Sequence, residues 1–148
     1  MATNVLAPVE PRIRHNYLAI LVAGIASFVL EAIWYSVFLN AWTAGIGRTM
    51  EWLHANSPNF GLQLATALAA AVLMAIGLDC IIQLTGGQSA RRGMKVGALL
   101  WLGFMLTVFC TEYVFEVRPW SLLGINAGFW LISIVAMGAI VGGWKKKS

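Results

Sequence analysis

The chain has 148 residues, 59% of them hydrophobic and 11% charged, where an average soluble domain carries about 25% charged residues. A soluble fold this apolar could not cover its own surface, so that class is excluded, and the length fits a single domain over residues 1–148. The net charge of +4 does not mark a nucleic-acid partner, because the basic residues sit in short clusters at segment ends rather than along a stripe with interleaved aromatics.

In chain order, Arg12 and Arg14 precede a first apolar stretch over residues 17–39. It runs on past Ala26 through Phe28, Val29, Leu30, Ile33 and Trp34 without a small-residue cleavage site, so it reads as a retained span and not a signal peptide. In the connection over residues 40–60, Trp42, Ile46, Met50 and Leu53 recur at helical spacing while Arg48, Glu51 and His54 take other faces. This predicts a short amphipathic helix along the membrane interface, with Ser57-Pro58-Asn59 as the turn that follows. The second span covers residues 61–84, with Ala67, Ala71, Ala75, Asp79 and Gln83 on one inward-facing stripe. Arg91, Arg92 and Lys95 flank the start of a third span over residues 94–115; a fourth follows over residues 120–144, and then Lys145, Lys146 and Lys147. Each stretch meets the length of about 20 apolar residues that a membrane helix needs. The small-residue pairs Gly93/Gly97, Gly124/Gly128 and Gly138/Gly142 allow close helix approach, within the chain or between copies.

Charge distribution orients the spans. Arg12, Arg14, Arg91, Arg92, Lys95, Lys145, Lys146 and Lys147 lie on one side, and only Arg48 and Arg118 on the other. The positive-inside rule then places both termini in the cytoplasm. The expectation is an all-α, polytopic transmembrane four-helix bundle, N-in and C-in. Cys80 and Cys110 fall near opposite faces of the bilayer in this topology, too far apart for a disulfide. His15 and His54 likewise fall on opposite sides, so they do not form a metal-ligand pair.

Ionisable groups inside spans carry the functional signal, since one at a helix centre costs about 2.5–3.5 kcal/mol on insertion scales. Glu31 lies in the outer half of the first span, Glu112 near the outer end of the third, Asn126 in the outer part of the fourth, and Arg118 in the turn between the last two. These four are expected to converge as an outer polar cluster, with Trp34, Tyr35 and Trp130 as an aromatic wall suited to a cationic substrate. Phe28-x-x-Glu31 is echoed by Phe109-x-x-Glu112 at a similar place in the third span. Asp79 and Gln83 form an inner polar pair, and Asp79 is read either as a functional group or as the ion-pair partner of Arg91 or Arg92. No nucleophile elbow, phosphate-binding loop or paired-cysteine metal motif occurs, so the expectation is a non-enzymatic protein with no cofactor.

Asn16-Tyr17-Leu18-Ala19, Trp34-Tyr35-Ser36, Phe115-Glu116-Val117-Arg118-Pro119, Asn126-Ala127-Gly128-Phe129-Trp130 and Gly138-Ala139-Ile140 with Gly142 and Trp144 resemble a family of small bacterial membrane proteins, domain of unknown function 1761. The resemblance implies four membrane helices and supplies no catalytic residues. It also implies a small residue where Glu31 stands and a Ser-Pro where this chain has Ser36-Val37, so a role for Glu31 would be particular to this chain.

The leading functional expectation is a structural or accessory helix bundle that packs with itself or with a membrane protein partner in the lipid bilayer. The alternative is a small proton- or cation-linked transporter that works as an oligomer through Glu31. A lipid-binding module resting on the inner basic clusters is a third reading.

Overall fold

The computed structural model describes residues 13–144, and among these every regular element is helical. The helices are α1 (Tyr17–Val37), α2 (Leu39–Ile46), α3 (Met50–Asn56), α4 (Phe60–Leu84), α5 (Ala90–Leu100), α6 (Leu106–Phe115) and α7 (Trp120–Gly143). Between α5 and α6 the chain keeps winding through π-helical turns at Trp101–Met105, so residues Ala90–Phe115 form one long helix. That helix, α1, α4 and α7 are the four that are long and apolar enough to cross a membrane. Arg12, Lys145, Lys146 and Lys147, which carried part of the charge argument, lie outside the described residues.

The helix ends follow from local chemistry. Four amide donors at each helix start lack intrahelical partners, and a short polar side chain supplies one acceptor. Asn16 Oδ1 accepts from Ala19 N at 3.2 Å, Asn59 Oδ1 from Gly61 N at 2.8 Å and Ser89 Oγ from Arg92 N at 3.2 Å. The third long helix therefore begins at Ala90, capped by Ser89, earlier than the hydropathy pattern places it. Arg91, Arg92 and Lys95 consequently sit on its first turns and not in a loop.

The connection expected to hold one interfacial helix holds two. Gly47, at φ +65°, ends α2, with Gly47 N donating to Ala44 O and Arg48 N to Thr43 O, both at 3.2 Å. This left-handed stop breaks the helical register that the spacing of Trp42, Ile46, Met50 and Leu53 predicts. The two halves have different surroundings. Trp42 and Ile46 of α2 pack on Leu122, Leu123 and Tyr113, while Met50 and Trp52 of α3 stay exposed.

α7 is the hub, packed by α1, α4 and α5 and at its beginning by α2 and α6. Its closest partner is α5, and the sequence shows why. Gly93 and Gly97 face Gly138, Ile134 and Gly142 with no side chain between the backbones. A Cβ added at Gly93 would collide with the Gly138 carbonyl, and one at Gly97 would stand 2.7 Å from Ile134 O. Two of the three small-residue pairs thus serve packing within the chain; Gly128 receives the Trp34 ring, and Gly124 has nothing within 4 Å. On α4, Ala71, Ala75 and Asp79 are buried, as the alanine stripe implies. Midway along, Ser27 and Ser133 share a buried hydrogen bond of 2.6 Å between α1 and α7.

Candidate functional site

Two polar regions lie at opposite ends of the helices. The terminal end carries residues 13–16, Trp144 and the α4–α5 loop; the far end carries α2, α3 and the α6–α7 turn.

At the far end, Phe28, Glu31, Ala32 and Tyr35 form one stripe of α1, and Phe60, Gln63, Leu64 and Ala67 form another on α4. Both repeat at i, i+3, i+4, i+7, the spacing that aligns side chains on one helix face. With Trp42 of α2, Phe109 of α6, and Asn126 and Trp130 of α7, they enclose a cavity of about 540 Å³. α4 packs on α1, α5 and α7, while α6 packs on α7; the cavity lies among α1, α2, α4, α6 and α7.

The wall beside Glu31 is tied together by side-chain hydrogen bonds. Tyr35 Oη donates to Asn126 Oδ1 at 2.9 Å, and Asn126 Nδ2 donates to Tyr113 Oη at 2.6 Å. The Tyr35 ring lies edge-on to Trp42 with centroids 5.8 Å apart and tilted against Phe129 at 5.5 Å. Asn126 thereby fixes two tyrosines from two other helices. Glu31 is half-buried in this lining, and among the described residues its carboxylate has no hydrogen-bond or ion-pair partner.

The structure brings together some of the expected residues and separates others. Glu31, Tyr35, Asn126 and Trp130 line the cavity. Trp34 does not; its Nε1 donates to Ile125 O at 3.1 Å, in the seam between α1 and α7. Glu112 is exposed on α6, while its neighbour Tyr113 is buried. Arg118 is also exposed; it pairs with Glu116 and lies over the Tyr113 ring at 5.4 Å from its centroid. The four-residue outer cluster is therefore reduced to Glu31 and Asn126. Phe109 lines the cavity and Tyr113, four residues on, is buried, so the inward face of α6 runs through these two and Glu112 falls outside it. Phe28, Phe60, Trp42 and Phe109 were missed as wall residues, although the stripe through Glu31 contained the signal for Phe28.

At the terminal end, Asp79 is 1% exposed, and its partner is His15, not Arg91 or Arg92. His15 Nδ1 lies 2.8 Å from Asp79 Oδ2, Gln83 Nε2 donates to the same oxygen at 2.9 Å, and Gln88 Nε2 donates to Oδ1 at 3.3 Å. Arg14 N donates to Gln83 Oε1 at 2.8 Å, and Asn16 Nδ2 to Trp144 O at 3.0 Å. Arg92 instead caps the end of α4, donating to Thr85 O and to Gly86 O. The inner pair is thus a closed network that ties the segment before α1 to α4 and to the α4–α5 loop. His15 was missed because it stands 64 positions from Asp79, beyond any local spacing rule.

Among the described residues no three His, Cys, Asp or Glu side chains come together as a metal ion would need. Fold and site together define a helical protein with four helices suited to a membrane and a cavity lined largely by aromatic side chains. The chain belongs to the family described as protein of unknown function (DUF1761), which it matches over residues 18–142. No curated protein and no solved structure matches it.

Proposed function

We propose that the protein is a multi-pass bundle of the bacterial cytoplasmic membrane, both termini inside, that binds an amphiphilic organic cation in the far-end cavity without covalent chemistry. The observation that carries this reading is the Glu31 carboxylate, unpartnered among the described residues, on the wall of a cavity otherwise lined by aromatic and aliphatic side chains with Gln63 and Asn126. A carboxylate at this depth is expensive unless something positive meets it. Tyr35, Trp42 and Trp130 line the cavity, and a cation over an aromatic face gains about 0.5–2 kcal/mol per contact. The volume falls in the range of small-molecule pockets, roughly 300–1,000 Å³, and the mainly apolar lining suits a ligand that partitions into the bilayer. Tetraphenylphosphonium titrated calorimetrically into the protein in nanodiscs should bind, and Glu31→Gln should weaken it at least about tenfold, one unit charge being worth that much at low dielectric. Equal affinity in the variant would remove Glu31 from the reading.

A second reading, an accessory bundle that assembles with itself or a partner, draws on the third long helix. Leu99, Leu102, Phe104 and Val108 are all more than half exposed along it, a face that lipid or another protein must cover. A monomer in nanodiscs that binds the cation fully would count against the accessory reading.

A further inference from the structure

The basic residues at the terminal end do more than orient the chain. A second cavity of about 620 Å³ lies where the α4–α5 loop meets α5, and Arg91, Arg92 and Lys95 all line it together with Val96 and Leu99. The positive-inside rule explains which side of a membrane these cations occupy; it does not explain why three of them border one hollow. Their placement is unfavourable in isolation. Arg91 and Arg92 stand in the first turn of α5, where the helix dipole is positive and no acidic residue offsets it. Arg91 and Lys95 are four residues apart, side by side on the helix surface, a like-charge pair that opposes helix formation. Among the described residues neither is in an ion pair.

Arg92 is already committed. Its guanidinium is held by the Thr85 and Gly86 carbonyls, reached because Gly86 and Gly87 take φ of +93° and +127°. It contributes a fixed positive charge to the lining, and Arg91 and Lys95, in no ion pair among the described residues, can close over a ligand. One turn further along α5, Val96 and Leu99 continue the same hollow as an apolar surface, Leu99 being 67% exposed.

We propose that this corner binds an anionic phospholipid from the bilayer, its phosphate between Arg91, Lys95 and Arg92 and its acyl chain along Val96 and Leu99. The apolar continuation selects a lipid over free phosphate, which would have no use for it. This site lies at the end of the molecule opposite Glu31 and stands independently of the cation reading.

The test is native mass spectrometry of the full chain released from phosphatidylcholine nanodiscs containing a minor share of phosphatidylglycerol. Wild type should retain phosphatidylglycerol in preference to phosphatidylcholine. Each basic residue near a membrane surface strengthens anionic-lipid binding roughly fivefold, so Arg91→Ala with Lys95→Ala should weaken retention about thirtyfold. Both side chains are exposed, and an unchanged unfolding midpoint in pure phosphatidylcholine will show that the double variant is folded. Leu99→Asn, with the cations intact, should weaken lipid retention while leaving any binding of inorganic phosphate unaltered. Retention undiminished in the double variant, no preference over phosphatidylcholine, or inorganic phosphate binding as tightly as the lipid would each overturn the proposal.

Discussion

Two buried or half-buried carboxylates, one toward each end of the molecule, are treated in opposite ways. Asp79 is enclosed by His15, Gln83 and Gln88, and the helices beside it are locked by glycine-on-backbone contact between α5 and α7. Glu31 faces open space bounded by aromatic rings, with a rigid Tyr35–Asn126–Tyr113 chain beside it that leaves it out. A carboxylate whose lone pairs are filled by its own chain holds the fold; one left facing a cavity is available to a ligand. The same residue class, at similar apparent depth in the sequence, thus supports two different roles, and burial alone does not tell them apart.

The largest expected effect is at the locked end. Gly93→Val places a side chain on the Gly138 backbone, which cannot yield as a flexible side chain can. It should cost more than about 3 kcal/mol, in the range of severe overpacking, seen as loss of folded protein in a detergent unfolding titration. Next comes the contrast between the carboxylates. Asp79→Ala strands His15, Gln83 and Gln88 and should destabilise by about 2–3 kcal/mol, as expected when partners of a charged group are orphaned. Glu31→Ala should leave stability unchanged or raise it slightly, because no hydrogen bond is lost. Unfolding midpoints measured side by side check this, and equal destabilisation by the two would erase the distinction.

The smallest expected effect sharpens the geometry of the far-end turn. Arg118 N donates to Tyr113 O at 3.0 Å and Val117 N to Val114 O at 3.4 Å, closing α6 with a turn whose left-handed position is normally glycine. Val117 occupies it at φ +54°, a strained conformation for a β-branched residue. Val117→Gly should therefore stabilise by about 1 kcal/mol, read as a rise in the unfolding midpoint.

Much of the frame was legible in the sequence because membrane helices announce themselves by length and by where charge is absent. The four long helices, the inward Ala71–Ala75–Asp79 stripe and the glycine seams follow from composition and spacing alone. Three features were not legible, each for a physical reason. The π-helical turns at Trp101–Met105 carry no local sequence mark, and without them the facing of α6, with Phe109 and Tyr113 inward and Glu112 outward, could not be counted along the third span. Gly47 looked like one of 15 glycines until its positive φ showed that it divides the interfacial segment in two. The His15–Asp79 pair joins positions far apart in the chain, whereas Arg91 and Arg92 were nearer in sequence and of the expected charge; Arg92 is drawn off by the loop carbonyls.

Tetraphenylphosphonium affinity and unfolding midpoint, determined together for wild type, Glu31→Gln and Asp79→Asn in nanodiscs, test the separation of roles most directly. The expected result is that Glu31→Gln loses the cation and keeps its stability, while Asp79→Asn loses stability and, where folded, keeps the cation. Cation binding that survives Glu31→Gln, or that disappears equally in both variants, would contradict it.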